Sequence, residues 1–441
     1  GDNHMDQFFK LGERNSNIAT ELRAGLTTFL AMAYIIVVNP LILSAGGVPM
    51  TAAVTATCIG AGIMTIAMGF ISNRPLACAS GMGINSIVAY TLCGAMGLGW
   101  QTAMAIIFVE GIAILLLVLC GLREAIMDAI PVSLRHGISI GLGLFIAMIG
   151  LKDGGIIVAN EATMVSLGSV TDPVFLVGLI SIVATVILSS MNVKGALLWG
   201  IVIASILGIP LGVTAAPSSI VAPLDFSTFG APFMADADGV MGVVKALTTP
   251  ALLLFAFSLM MSDFFDTMGT AMAVAKQGDF LSDEGKVEDI KPILIVDSVA
   301  AAAGGVFGAS SITTFVESAS GAADGGRSGL TSITAGILFL LAAFFSPLIS
   351  CISSAATCGA LVYVGFLMMS EVTEIDWFDI LEGFPTFMII IGIPFTYSIS
   401  NGIGLGFIAY VIVASVTGNI KKVRPLMWVA AAAFLAYFLL L

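Results

Sequence analysis

The chain has 441 residues, 58% apolar and only 10% charged, with a mean hydropathy of +1.08 and a formal charge of −12. Soluble domains carry roughly 25% charged residues, so a water-soluble enzyme is excluded. The acidic balance also excludes a nucleic-acid binder, which needs a basic face.

Gly1 to His4 read as a cloning remnant ahead of a native start at Met5, and the polar stretch that follows leaves no cleavable signal peptide. A bilayer core about 30 Å thick needs about 20 apolar residues in a helix. On that ruler spans fall near 24–44, 51–72, 100–121, 132–151, 173–191, 194–212, 249–275, 290–307, 329–346 and 352–369. Shorter apolar runs follow at 383–398 and 402–418. Two further segments, 75–97 and 309–326, are too small and polar for ordinary lipid-facing helices. They contain Ala-Cys-Ala-Ser-Gly-Met-Gly-Ile-Asn (77–85) and Ala-Ser-Ser-Ile-Thr-Thr-Phe-Val-Glu-Ser-Ala-Ser-Gly (309–321). With both counted, the chain is predicted to be an all-α polytopic membrane protein of fourteen spans. Placing the N-terminus inside leaves only Lys152 and Lys245, of 16 basic residues, outside. Omitting either odd segment would invert every later loop and spoil that positive-inside bias.

The connecting segments read plainly. The 213–248 loop, with Asp225, Asp236 and Asp238, is acidic and external. Glu371, Glu374, Asp376, Asp379 and Glu382 around Trp377 and Phe378 form an amphipathic cytoplasmic connector. The apolar stretch 425–441 is open to three readings: an extra span, an interfacial helix, or a helix packed on the bundle. Gly137, Gly141 and Gly143 suit close helix packing, within one chain or between two. The six cysteines show no CxxC or Cys/His spacing, and His136 is the one usable histidine, so no metal, disulfide framework or cofactor is expected.

The odd segments are third among the first seven spans and third among the second seven. Seven is odd, so the halves have opposite orientations: a 7+7 inverted repeat. Gly-interrupted segments at matching positions of inverted halves point to a transporter's binding site. Non-helical backbone at membrane depth persists only inside protein or beside a wet cavity, where free N–H and C=O groups can hold a polar solute.

Five acids lie within the spans: Glu110, Asp263, Asp266, Asp297 and Glu317. No Lys or Arg sits at comparable depth. A central carboxylate costs about 2.5–3.5 kcal/mol to insert, so each asks for a reason. Unpaired acids can carry a proton, bind a cation, or accept hydrogen bonds from a substrate. Asp263 and Asp266 share a helix face and resist joint ionisation. Glu317 follows an alternating stretch that fits a short extended piece before a half-helix, and Asn85 stands in the same relation to Gly81-Met82-Gly83. Glu110 reads as a structural acid bonded to a neighbouring span. Asp297 reads as a near-interface acid that snorkels or caps a neighbouring broken helix.

Four blocks resemble the azaguanine-type purine permeases, a branch of the nucleobase–cation symporter and nucleobase–ascorbate group. They are Thr-Thr-Phe-Leu-Ala-Met-Ala-Tyr-Ile-Ile-Val-Val-Asn-Pro (27–40), Gly-Met-Gly-Ile-Asn (81–85), Asp-Phe-Phe-Asp-Thr-Met-Gly-Thr (263–270) and Thr-Thr-Phe-Val-Glu-Ser-Ala-Ser-Gly (313–321). Pro-Phe-Thr-Tyr-Ser-Ile-Ser-Asn-Gly-Ile-Gly (394–404) fits too, and the resemblance runs from about residue 7 to the end. The branch's usual Ala-Pro-Gly-Met-Gly is here Ala79-Ser80-Gly81-Met82-Gly83, which loses a proline but no side-chain contact.

The resemblance implies segments 3 and 10 broken into short strand plus half-helix, and a core domain moving against a gate domain. After the cytoplasmic 1–23, the core takes 24–121 and 249–346. The gate takes 122–212 and 347–441, and the loop 213–248 lies outside. It further implies purine binding by Asp263, Glu317, Asn85 and Gly83, and from the acids themselves proton coupling is expected through Asp266, Glu317 or Asp263. The expected protein is a purine importer of the plasma or inner membrane driven by a proton or Na+, with a homodimer as a possible assembly. The alternative on the same fold is a carrier of uracil, xanthine, ascorbate or an inorganic anion.

Overall fold

The apolar runs become helices, and the two odd segments do not. The computed structural model describes residues 2–121, 129–217, 219–221, 223–281, 287–315, 317–345, 347, 351–397 and 399–440. Its first half holds α1 (Asp2–Phe9), α2 (Ile18–Met32), α3 (Ile35–Ala45) and α4 (Met50–Ser72). Strand β1 (Cys78–Ser80) and α5 (Met82–Ser86) follow, and α5 runs on as a π-helix over Ile87–Ala95. Next come α6 (Trp100–Cys120), α7 (Val132–Asp153), the hairpin β2 (Ile157–Asn160) and β3 (Met164–Leu167), α8 (Pro173–Ser190) and α9 (Ala196–Gly208). The second half holds α10 (Gly242–Thr248), α11 (Pro250–Gln277), α12 (Ile290–Phe307), β4 (Ile312–Thr314), α13 (Ser318–Ala323) and α14 (Gly329–Ala342). It closes with α15 (Cys358–Met368), α16 (Ile380–Phe395), α17 (Ile399–Val416) and α18 (Pro425–Leu440).

Among the described residues, 7 helical spans are long and apolar enough to cross a membrane, and shorter apolar helices accompany them. This is a multi-pass membrane protein. The first run departs from its expected form, starting at Ile18 and breaking at Ala33–Tyr34. Asn17 caps its start by accepting from the Thr20 amide, and Pro40 further on lacks the N–H that would bond the Ile36 carbonyl.

Packing sorts the helices into two sets. In one, α4 lies along α14 and α3, α2 along α14, and α12 along α4 and α6. In the other, α7 packs on α15 and α16, α8 on α9 and α15, and α16 on α17. Small residues set the closest approaches, since helices in oil gain by van der Waals contact rather than by the hydrophobic effect. A Cβ on Gly69 of α4 would lie 2.5 Å from the Gly329 carbonyl oxygen at the start of α14. In the second set Gly137 faces Thr386, Gly141 faces Ile389 and Ile393, and Gly143 faces Gly365. The glycine series of α7 is therefore used inside this chain and supports no pairing of two chains. The sets meet at Tyr90, whose ring lies 5.9 Å from that of Tyr397, with the Lys152 ammonium 5.1 Å from Tyr90 and 5.4 Å from Tyr397.

Helix α18 packs on α17 and reaches α11, with Phe434 edge-on against Phe407 at 5.7 Å. The 213–248 loop is tied to the first set. Asp225 accepts from Thr51, and Asp236 accepts from the Gly99 amide and the Thr102 hydroxyl at the start of α6. Partial burial works against ionisation of Asp236. The Thr102, Ala237 and Gly99 bonds, with Lys245 nearby, outweigh it and hold the carboxyl below the usual carboxylate range.

Candidate functional site

The site forms where the two odd segments cross. β1 and β4 pair antiparallel, Cys78 opposite Thr314, Ala79 opposite Thr313 and Ser80 opposite Ile312. The ladder extends at both ends, from the Gly81 amide to the Ser311 carbonyl and from the Phe315 amide to the Ala77 carbonyl, each at 2.9 Å. Segments more than 230 residues apart thus meet backbone to backbone. Gly81 permits the approach, since a Cβ there would sit 2.8 Å from the Thr313 methyl. Ser310, just before β4, takes the left-handed conformation at φ 65, a turn that glycine would adopt more cheaply.

Two short strands leave their outer edges without ladder partners, and side chains from the surrounding helices supply them. Thr65 of α4 both accepts from the Cys78 amide and donates to the Cys78 carbonyl, each at 2.9 Å. The Ala309 carbonyl takes the Ser80 hydroxyl at 2.7 Å and the Asn39 amide at 3.2 Å. The Ala77 amide donates to Ser318 Oγ. Asp297 of α12 accepts from the Thr314 amide at 3.0 Å, the Thr314 hydroxyl at 2.9 Å and the Thr267 hydroxyl at 2.8 Å.

That arrangement corrects one expectation. Asp297 does not snorkel: it is 2% exposed and braces the second break from within, which is the capping alternative. Asp263 of α11 is also buried and accepts from Ser311 at 2.8 Å, so it flanks the start of β4. Glu317 lies in the turn beyond the end of β4 and accepts from the Tyr34 hydroxyl at 2.9 Å. Asn85 of α5 is fully buried, and neither its amide nitrogen nor its oxygen has a partner among the described residues. Gly83 lies in the same first turn and is half-buried. Asp266 lies one turn beyond Asp263 on α11, and its side chain is outside the described residues.

Glu110, read as an acid bonded to a neighbouring span, meets another acid there rather than a donor. It is fully buried on α6, and its carboxyl stands against that of Asp263. Sequence reading also missed Tyr34 and Thr65. A tyrosine in the middle of an apolar span is a usable signal, whereas a helical threonine is not, because most bond their own helix.

A carboxylate, a glutamate held by a tyrosine and an unpartnered amide therefore border one strand crossing. An amide offers a donor beside an acceptor, and carboxylates accept N–H groups through strong charge-assisted bonds. The group suits a small flat solute with both N–H donors and ring-nitrogen acceptors.

Residues 19–405 match a permease family. The chain is 40% identical over 432 residues to the adenine permease AdeQ of Escherichia coli strain K12, covering 98% of this chain and 95% of that protein. It is 38% identical over 440 residues to the guanine/hypoxanthine permease PbuO of Bacillus subtilis strain 168, covering 97% of this chain and 98% of that protein. Among solved structures, the transmembrane domain of a cyanobacterium bicarbonate transporter, BicA, matches with a TM-score of 0.62 at 15% identity. It covers 90% of this chain and 97% of that one, a likeness of fold alone.

Proposed function

The chain belongs to this permease family, and on that premise we propose that it imports purine nucleobases (adenine, guanine or hypoxanthine) by symport with a cation, the proton before Na+. It is a transporter and not an enzyme. The names of its relatives support a nucleobase cargo. The observation that carries the site is the buried Asn85 amide with both polar atoms unpartnered, beside a strand pair flanked by Asp263 and Glu317. Leaving such a group unsatisfied costs about 1–3 kcal/mol, which a ligand that pairs with it returns as affinity.

In this reading a purine edge donates N–H to Asp263 and Glu317, and pairs with Asn85 where the backbone opens at Gly83. A base lacking those donors leaves buried carboxylates unpaired, which discriminates far better than a lost apolar contact. Asp266 with Asp263 or Glu317 handles the proton. The chain crosses the membrane fourteen times as a 7+7 inverted repeat with its N-terminus in the cytoplasm. The helix set around α4, α6, α12 and α14 acts as the core, moving against a gate built from the set around α7, α8, α16 and α17. Alternate exposure of the site follows from that motion, and sparse contact between the sets leaves them free to shift.

Uptake of radiolabelled adenine, guanine, hypoxanthine and uracil into proteoliposomes, with and without a protonophore, tests the reading. Purine uptake should exceed uracil uptake and collapse with the protonophore. Asp263→Ala and Glu317→Gln should each lower purine uptake at least about 100-fold, the scale of removing one partner of a buried charged bond. Uptake retained in either variant removes that residue from the site.

A further inference from the structure

We propose that Glu110 is a proton-carrying residue of the transport cycle, its protonated carboxyl donating to Asp263 while the nucleobase binds and giving up that proton only after the nucleobase has left. The inference rests on the transport reading above and adds to it a residue from a different helix.

Glu110 lies near the middle of α6, fully buried, where a carboxylate is expensive. No donor among the described residues reaches either of its oxygens. Its neighbour is a second carboxyl, that of Asp263 on α11, and Asp297 of α12 is the next charge nearby. Two carboxylates have no hydrogen to share, so a carboxyl facing a carboxyl in a dry site bonds only if one of them carries the proton. Asp263 and Asp297 already receive hydroxyl or amide donors, from Ser311 and from Thr267 and Thr314. Both are suited to stay as acceptors, which leaves Glu110 as the donor of the pair.

The surrounding charges agree. Of the elements packed on α6, α11 contributes Asp263 and α12 contributes Asp297, both carboxyls. The cation of α10, Lys245, is engaged with Asp236 and Asp238 beside the start of α6. Thr102, the α6 residue bonded to Asp236, is about 12 Å along the helix from Glu110 at 1.5 Å per residue. Among the described residues nothing positive is placed to hold Glu110 ionised, and a proton is the smallest group that resolves the contact. With Glu110 protonated, Asp263 is the one anion of the pair and can accept a purine N–H as well. An ionised Glu110 would set two carboxylates against each other in the loaded site, so the proton leaves only after the cargo. Binding of cargo and movement of the proton are then linked through one oxygen-to-oxygen contact. No bond of the cargo is made or broken.

The test compares two transport modes of purified, reconstituted protein: counterflow of radiolabelled hypoxanthine without a gradient, and its accumulation under an imposed pH gradient of one unit. One coupled proton supports about tenfold accumulation for that gradient, since each 1.4 kcal/mol is a factor of ten. Glu110→Gln keeps a donor for Asp263 but cannot release a proton. It should retain counterflow within about threefold while gradient-driven accumulation falls to the level reached without a gradient. A variant that keeps the wild-type ratio of the two modes overturns the proposal, as does one that loses both equally while remaining folded. If Glu110→Gln does not fold, Glu110→Asp, which keeps the proton on a shorter arm, should accumulate with a shifted dependence on pH; an unshifted profile overturns the proposal. Wild-type accumulation that follows a Na+ gradient and ignores pH also overturns it. Wild-type protein that moves no purine in either mode instead refutes the transport reading.

Discussion

The two interrupted segments share a backbone design and differ in chemistry. At the first, around β1, the free edge is satisfied by neutral groups, with Thr65 serving both the amide and the carbonyl of Cys78. At the second, around β4, it is satisfied by a carboxylate, Asp297, with Asp263 and Glu317 close by. The first break contributes an unpartnered amide, Asn85, and the second contributes acids. A strand in place of a helix is thus used twice, while the acids and the unpartnered amide are distributed unequally between the two segments. The bracing groups and the proposed ligand groups are separate residues at both breaks.

That separation can be broken by mutation. The largest effect is expected at Asp297, because Asp297→Ala orphans the Thr314 amide and two hydroxyls in a dry interior. The loss of about 3 kcal/mol should appear as a lower midpoint of thermal unfolding in detergent. Thr65→Val removes the corresponding brace at the first break and should cost about 2 kcal/mol by the same measurement. A much smaller loss would mean that the first break is held by strand pairing alone. Asn85→Ala should leave the midpoint unchanged or slightly raised and weaken purine binding about tenfold, or 1.4 kcal/mol. Destabilisation by Asn85→Ala comparable to that of Asp297→Ala would erase the distinction between bracing and binding groups.

The smallest effect lies outside the membrane, at Asp236. Its carboxyl titrates below the ordinary 3.8 in the folded chain, so protonation favours unfolding. Its contribution is complete above about pH 5 and is lost as the pH falls through the folded value, and water around this partly buried loop site screens it to about 1 kcal/mol. Between pH 5 and 8 the Asp236→Asn variant should therefore show no pH trend that the parent lacks, read as unfolding midpoint against pH.

Much of the site was legible because an acid or an amide inside an apolar run is conspicuous wherever it falls. Asp263, Glu317 and Asn85 announce themselves this way, and the structure places all three beside the strand crossing. Tyr34 and Thr65 did not, because hydroxyls are common in spans and their partners here come from 283 and 13 residues away. Glu110 was visible as an anomaly, yet its neighbour was not, because Asp263 arrives on a helix from the other half of the chain.

Composition and periodicity alone determined that this is a membrane protein, where its apolar runs lie, and which two segments cannot be ordinary spans. Those properties follow from the cost of polar groups in oil, which is paid residue by residue and can be read in order. Tertiary structure decided which strand edge each hydroxyl serves, that Asp297 braces while Asp263 flanks, that Gly137, Gly141 and Gly143 face their own chain, and that α18 lies on α17. Each of these depends on a contact between distant segments. A hydrogen bond or a close glycine approach has no signature in either partner until the fold sets the two within a few ångströms.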